Sequence, residues 1–260
     1  MENEKKKGNQ SGEKLLLILE YMVSQDSPMR LLDISKNLQL NSSTTLRFLT
    51  TLVNTGYVEQ DEETLKYYPT YKICALAGKM SMHNDIRAIA RPYMLQLNKI
   101  FGESVCMAIE DNMKSVYIEV IREQNQSLMA VQSVGSMAPL HCTGIGKLFF
   151  LNYSDLEIDR YIQVEGLNKF TDHTITSKWQ LMNEIQKIRE RGYAYDEEER
   201  EIGARCLAFP IYDFSGKIIA GISVTGPVAR LTDEKIAPRL EDFRKITIEI
   251  SKKMGYKVFD

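Results

Sequence analysis

Three stretches in the second half of the chain combine residue types that could hold a small polar molecule. Thr143-Gly144-Ile145-Gly146-Lys147 places two glycines at a helix start. Bare backbone N–H groups there, helped by the helix dipole, favour an anion such as a carboxylate. A Gly-x-Gly also serves as a plain turn, and this one lacks the glycine spacing and the Lys-Ser/Thr of a Walker phosphate loop. Tyr195-Asp196-Glu197-Glu198-Glu199-Arg200-Glu201 is a charge run, which ordinarily forms a solvated loop. Asp196 stands apart, because it follows Tyr193-Ala194-Tyr195 at the edge of a strand and so can point inward. The third stretch is Gly203-Ala204-Arg205-Cys206 with the later Ile222-Ser223-Val224-Thr225. Alternation puts Ser223 and Thr225 on one strand face, and two hydroxyls and a thiol facing a cavity suit a small polar ligand. The plain alternative is that Cys206 is a small buried hydrophobe and the hydroxyls bond to backbone.

A fourth set lies near the N-terminus, in the segment Leu31 to Val58. Two short helices are expected there, the first on Leu31, Ile34 and Leu38, the second opened by the N-cap types Ser42 and Ser43 after a break at Gln39-Leu40-Asn41. A wheel of about 100° per residue puts Leu46, Phe48, Leu49, Leu52 and Val53 on one arc. Ser43, Arg47, Thr50 and Asn54 fall on the other, with Thr44 and Thr51 beside them. Small hydroxyls and a single Arg let a helix approach base edges and phosphates, and the Arg can pair with guanine or grip a phosphate. A Thr-rich solvated helix would carry the same pattern.

An enzyme needs a nucleophile with a base. Cys142 adjoins His141, but neighbours on a strand point apart, and there is no Ser/His/Asp set, HExxH or G-x-S-x-G. The four cysteines, Cys74, Cys106, Cys142 and Cys206, form no CxxC, and His83, His141 and His173 show no metal-ligand spacing, so reduced thiols and neither metal nor cofactor are expected, the alternative being a zinc site assembled from distant residues. At 43% hydrophobic and 26% charged, the 260 residues suit two compact globular domains. No apolar run approaches the roughly 20 residues of a membrane span, and the polar start has no signal-peptide core, so a cytoplasmic protein is expected. Net charge is −2, and residues 13–80 hold seven Lys/Arg against eight Asp/Glu. Nucleic-acid binding there requires Arg30, Lys36, Arg47 and Lys66 to face the duplex while the acids face away.

The elements that would position these residues follow in order. Residues 1–12 read as a disordered tail carrying Lys5-Lys6-Lys7. A helix from Glu13 to Ser24, the two helices above and a hairpin with strands Tyr57–Gln60 and Leu65–Thr70 make a winged helix-turn-helix over 13–70, with Lys66 just past the wing tip. Residues 71–86 read as a linker helix, and 87–260 as an α+β domain on a mostly antiparallel sheet. In that domain a helix Ile86–Phe101 must kink or break at Pro92. Strands follow at Ser104–Glu110, Ser115–Ile121 (joined through Asp111-Asn112) and Leu128–Val134. Helices start at Lys147 and Asp155, another runs from the capping box Ser177–Gln180 to Arg191, strands lie at Ala204–Tyr212 and Lys217–Thr225, and one last helix starts at Leu231.

In this order the pieces resemble the IclR family of bacterial transcription regulators. The resemblance rests on Ser43-Thr44-x-x-Arg47-x-Leu49 before Gly56-Tyr57-Val58, Leu140-His141-x-x-Gly144-x-Gly146-Lys147, Arg189-x-Arg191-Gly192-Tyr193-Ala194 and Asp196-x-Glu198. It continues through Gly203-x-Arg205-Cys206, Gly221-Ile222-Ser223-Val224 and Gly226-Pro227-x-x-Arg230-Leu231-Thr232. It implies a repressor or activator that is no enzyme. Its winged helix would bind operator DNA as a homodimer or tetramer, and its C-terminal domain, similar to GAF-type sensors, would bind a small metabolite, an organic acid in many members. Carried over by position, the Gly144 and Ile145 amides would hold a carboxylate, with Asp196, Cys206, Ser223 and Thr225 around the other polar groups. Ser42, Ser43, Thr44, Arg47, Thr51 and Lys66 would meet DNA. Thr225 stands where many members have Ser, Leu46 where His or Ser is common, and Asn41 where Pro is common. The rival reading is a metabolite-binding enzyme or sensor whose winged helix is a protein-interaction module.

Overall fold

The computed structural model describes residues 9–81, 85–122 and 132–257. The chain divides into two compact units, Met1–Asn84 and Asp85–Asp260.

In the first unit, helix α1 (Gln10–Val23) starts earlier than the sequence suggests, because the Asn9 side chain accepts from the Ser11 and Gly12 amides. Residues 9–12 are therefore ordered in the helix or its cap, while 1–8, with the lysine run, lie outside the described residues. Helices α2 (Leu31–Asn37) and α3 (Ser42–Asn54) follow, and Gln39 turns the chain between them at φ 53°. Ile18, Met22, Ile34, Phe48, Leu49 and Leu52 close a single small core over Val58 and Tyr67. The wing pairs β1 (Val58–Gln60) with β2 (Tyr67–Pro69) in antiparallel register. Met29 bonds both ways to Tyr67, an isolated bridge on the edge of β2 away from β1. Helix α4 (Lys72–Ser81) comes next and belongs with this unit. The Lys72 ammonium bonds the Thr55 carbonyl and lies 4.5 Å from the centre of the Tyr57 ring. His83, expected in the linker, lies outside the described residues.

The second unit opens on α5 (Ile86–Phe101), capped by Asp85, continuous through Pro92 and ended by Gly102 in the left-handed region. Strand β3 (Ser104–Asp111) turns into β4 (Lys114–Ile121) through Asn112-Met113, both at positive φ, one residue later than Asp111-Asn112. Two successive positive φ values match the twist of a tight hairpin. Of the strand expected at Leu128–Val134, residues up to 131 lie outside the described residues and 132–134 are not strand. A short β5 (Met137–Pro139) pairs with β4 instead. Helices α6 (Gly144–Phe149), α7 (Asp155–Val164) and α8 (Lys178–Arg191) follow, the last two with complete capping boxes. Strands β6 (Ala194–Glu197), β7 (Ala204–Tyr212) and β8 (Ile218–Pro227) complete a six-stranded sheet of order β5-β4-β3-β8-β7-β6, antiparallel at every pairing. The last helix is not one piece: α9 (Asp233–Ile236) passes through a 3-10 turn holding Pro238 into α10 (Leu240–Lys253).

Alternation along the strands sends Val105, Met107, Leu207, Phe209, Ile222 and Val224 to one face, under α5 and α10. Cys106, Ala108 and Ala208 go to the other, under α6, α7 and α8. Cys206, Ser223 and Thr225 share that second face by the same period of two. Helix α6 presses close to the sheet: a Cβ on Gly221 would come within 2.6 Å of Ile145, and one on Gly146 within 2.5 Å of the Leu140 backbone.

Candidate functional site

The six residues singled out in the second half of the sequence line one cavity of about 200 Å³ on the α6 face of the sheet. Cys206 and Thr225 are direct partners across β7 and β8, Ala208 faces Ser223, and Asp196 faces Cys206 across β6 and β7. The strand register therefore collects them. Thr225 donates to the Cys206 sulfur at 3.1 Å and lies 3.5 Å from the Ser223 hydroxyl. Burial, first, and then the Asp196 charge push the Cys206 thiol well up, so it stays protonated.

Gly144 and Ile145 begin α6 and line the same cavity. Thr143 caps this helix: its hydroxyl accepts from Gly146 at 3.2 Å and donates to the Pro139 carbonyl, and its own carbonyl accepts from Lys147. The amide of the second glycine is thus taken, and Gly146 is required instead for the close approach to Leu140. The amides of Gly144 and Ile145 precede the helical ladder, as first-turn amides do.

Asp196 is 4% exposed. Its Oδ1 accepts from the Glu199 amide at 2.8 Å and the Arg200 amide at 3.4 Å. Burial, then the Glu199 charge, push its pKa up to about 7, against the pull of Lys147 and the two amides. A carboxyl so placed either donates or accepts a proton near neutral pH.

The charge run is not the solvated loop its composition suggests. Glu199 is buried and pairs with Lys147, itself only 1% exposed. Glu184 Oε1 lies 4.0 Å from the same ammonium and also accepts from Arg191 at 2.6 Å. The turn is fastened by its backbone too. Thr171 donates to the Glu198 carbonyl at 2.7 Å, Thr174 to the Glu199 carbonyl at 2.6 Å, and Glu198 sits at φ 59°. Arg200 reaches the cavity and lies 4.0 Å from the centre of the Phe170 ring. Sequence reading missed Lys147 and Glu199 as a buried pair and Arg200 as a lining residue. A lysine three residues into a helix whose start is buried was the available signal. Two further arginines of the family motifs serve as braces: Arg205 binds Glu197, Asp233 and the Leu231 carbonyl, and Arg230 forks onto Glu103.

His141 and Cys142 do not form a catalytic pair. The imidazole is engaged at both nitrogens, by the Tyr161 hydroxyl at 3.0 Å and the Asn168 carbonyl at 3.1 Å, and burial lowers its pKa. Burial pushes the Cys142 thiol up to about 12. Among the described residues no group of three or more His, Cys, Asp or Glu could hold a metal ion, and no described helix is long and apolar enough to cross a membrane.

In the first unit α3 exposes Ser42, Ser43, Arg47 and Thr51, with Thr44 and Lys66 partly covered. Two positions depart from the sequence wheel. Leu46, placed on the core arc, is 45% exposed, and Thr45 is fully buried with its hydroxyl on the Asn41 carbonyl. The buried stripe Phe48-Leu52-Thr45-Leu49 centres near Thr45, and Leu46 falls about 100° away from it. Asn41, not a serine, occupies the cap position, without a side-chain bond. The Thr50 and Thr51 hydroxyls donate back to the Leu46 and Arg47 carbonyls, so in these rotamers they can only accept from DNA. The Arg47 guanidinium lies 5.2 Å from the Phe48 ring centre. None of Arg30, Lys36, Arg47 and Lys66 makes an ion pair with a described residue.

Comparison with known proteins accounts for both units. The family described as the IclR helix-turn-helix domain matches residues 11–62, and the family described as bacterial transcriptional regulator IclR C-terminal matches residues 79–252. The chain is 31% identical over 247 residues to the HTH-type transcriptional regulator XynR of Escherichia coli, covering 95% of this chain and 98% of that one. It is 32% identical over 251 residues to the HTH-type transcriptional repressor AllR of the same species, covering 96% and 92%. The crystal structure of the Thermotoga maritima IclR superimposes with a TM-score of 0.62 at 30% identity, covering 95% of this chain and 99% of that one.

Proposed function

The chain belongs to the IclR family of transcriptional regulators, and from that premise we propose how its two units divide the work. The C-terminal unit binds a small organic acid in the cavity walled by Gly144, Ile145, Asp196, Cys206, Ser223 and Thr225. The observation that carries this reading is that all six line one buried recess. Its volume, about 200 Å³, lies below the range of drug-sized ligand sites and suits a molecule of few carbons. The first amides of α6 take the carboxylate, and the hydroxyl wall and Asp196 take the remaining polar groups. The wall sets its donors and acceptors before the ligand arrives, since they are fixed by strand register.

The N-terminal unit presents α3 to the major groove of operator DNA. Ser42, Ser43, Thr44, Arg47 and Thr51 face the duplex, and Lys66 on the wing meets the backbone. The protein acts in the cytoplasm as a homodimer or tetramer, and the sign we propose is repression, as the name of AllR states for that protein. Effector occupancy favours one spacing of paired winged helices, and half-sites about one DNA turn apart match only one spacing. Linkage requires the operator to change effector affinity by the same factor.

The test is a gel shift with DNA upstream of this protein's own gene, at two salt concentrations, with and without small carboxylates. Specific retention that weakens with salt and responds to one carboxylate supports the reading. No retention at low salt makes the winged helix an interaction module. Retention indifferent to every carboxylate removes the organic-acid assignment.

A further inference from the structure

One side chain of the cavity has no part in the contacts proposed for the ligand so far. Arg200 is flanked by Glu198, Glu199 and Glu201, yet among the described residues no carboxylate pairs with it. Its neighbours' acids are engaged elsewhere: Glu199 by Lys147, Glu198 by the Gly203 amide at 2.7 Å, Glu197 by Arg205. The guanidinium instead lies over Phe170 at 4.0 Å, and Phe170 itself stacks against His141 at 6.1 Å and 30°. Arg200 is exposed at the cavity rim, and a guanidinium left without a carboxylate partner there can fork onto the carboxylate of a ligand. The described lining otherwise carries two acids, Asp196 and Glu201, and Arg200 is the only Lys or Arg among the lining residues. Arg200 offsets one of these two acids and is the cation an entering carboxylate meets.

We propose that Arg200 is the specificity-determining residue of the effector site: its guanidinium pairs with the carboxylate held at the first amides of α6, and Cys206, Ser223 and Thr225 receive a polar group elsewhere on the same small molecule. Phe170 is the positioning residue that keeps the guanidinium at the cavity. At this site a carboxylate is then preferred to an amide, ester or amine of the same shape. This assignment rests on the cavity being the effector site.

The experiment uses the full-length protein and a panel of hydroxy and 2-oxo carboxylates of about two to six carbons, each paired with its primary amide, with binding read by isothermal titration. The wild type should bind at least one acid and prefer it to its amide. In Arg200→Gln the acid should weaken by about ten- to a hundred-fold, the loss of a charge-assisted pair, with the amide unchanged. Arg200→Lys should keep part of the preference, and Phe170→Leu should fall between. If Arg200→Gln leaves the acid-to-amide ratio as in the wild type, the assignment of Arg200 is overturned while the effector site stands. The assignment is equally overturned if acid and amide weaken together, because that is a structural loss. If the wild type binds no member of the panel, the organic-acid reading fails and this inference fails with it.

Discussion

Replacing Lys147 with Met should destabilise the C-terminal unit by about 3–5 kcal/mol at pH 8, the typical cost of leaving one member of a buried ion pair alone, and by much less at pH 5. Lys147 is 1% exposed and neutralises Glu199, whose Oε2 has no hydrogen-bond partner among the described residues. Burial raises the Glu199 pKa even with the ammonium in place, and the Glu199 charge in turn helps lift Asp196 to about 7. Without the ammonium Glu199 rises further. A carboxyl whose pKa is raised by folding holds its proton longer in the folded than in the unfolded chain. Its contribution is therefore fully present below the ordinary carboxylate range and is lost as pH climbs to the folded value. The extra proton held on Glu199 should make the variant's deficit grow with pH by up to about 1.4 kcal/mol per pH unit across that window. Urea unfolding followed by circular dichroism at pH 5 and pH 8 measures it. The double variant Lys147→Met, Glu199→Met should recover most of the loss, because an apolar pair of similar volume replaces the ion pair. A deficit equal at the two pH values, or a double variant no better than the single one, would refute the reasoning.

Three shorter predictions accompany it. With Asp196 titrating at about 7 beside the cavity, its neutral form suits an anionic ligand. Affinity for a bound carboxylate should then fall as pH rises from 6 to 8; Asp196→Asn should flatten that profile, and an unchanged slope in the variant would remove Asp196 as the cause. Gly146→Ala puts a Cβ within 2.5 Å of the Leu140 backbone and should cost about 1–3 kcal/mol or more by overpacking; a melting temperature equal to the wild type's would show that α6 has room to shift. Arg47→Ala should weaken operator binding by about 1–3 kcal/mol and relax specificity at one base pair if Arg47 reads a base. An equal loss on unrelated DNA in fluorescence anisotropy would assign it to a phosphate.

Much of the fold was legible because local signals agreed. The capping box at Ser177, the glycine after Arg191 and the alternation through Ile222–Thr225 each match the observed elements. The cavity wall was legible in part: a period of two puts Ser223 and Thr225 on one strand face, whereas Cys206 joins them only through the pairing of β7 with β8. What composition could not show was tertiary. Glu199 looks like any glutamate in an acidic run until Lys147, 52 residues earlier, is folded against it. Thr45 and Leu46 exchanged roles because a polarity wheel ranks Leu above Thr, while the helix axis is set by where Phe48, Leu49 and Leu52 meet Ile18 and Ile34. Strand β5 was missed because its three residues end on a proline and derive their order from β4.

The turn that carries Asp196 and Arg200 is gripped mainly by its main chain, through the Thr171 and Thr174 hydroxyls on the Glu198 and Glu199 carbonyls. A carbonyl offers the same acceptor whatever side chain follows it. Positions 200 and 201 border the cavity but bear none of that grip through their side chains, so they can be exchanged at little cost in stability. Asp196, Glu199 and Lys147 cannot. If the cavity is the effector site proposed above, such a layout separates what keeps the unit folded from what decides its ligand. A lineage could then acquire a new effector by one or two substitutions at the rim, leaving the sheet untouched.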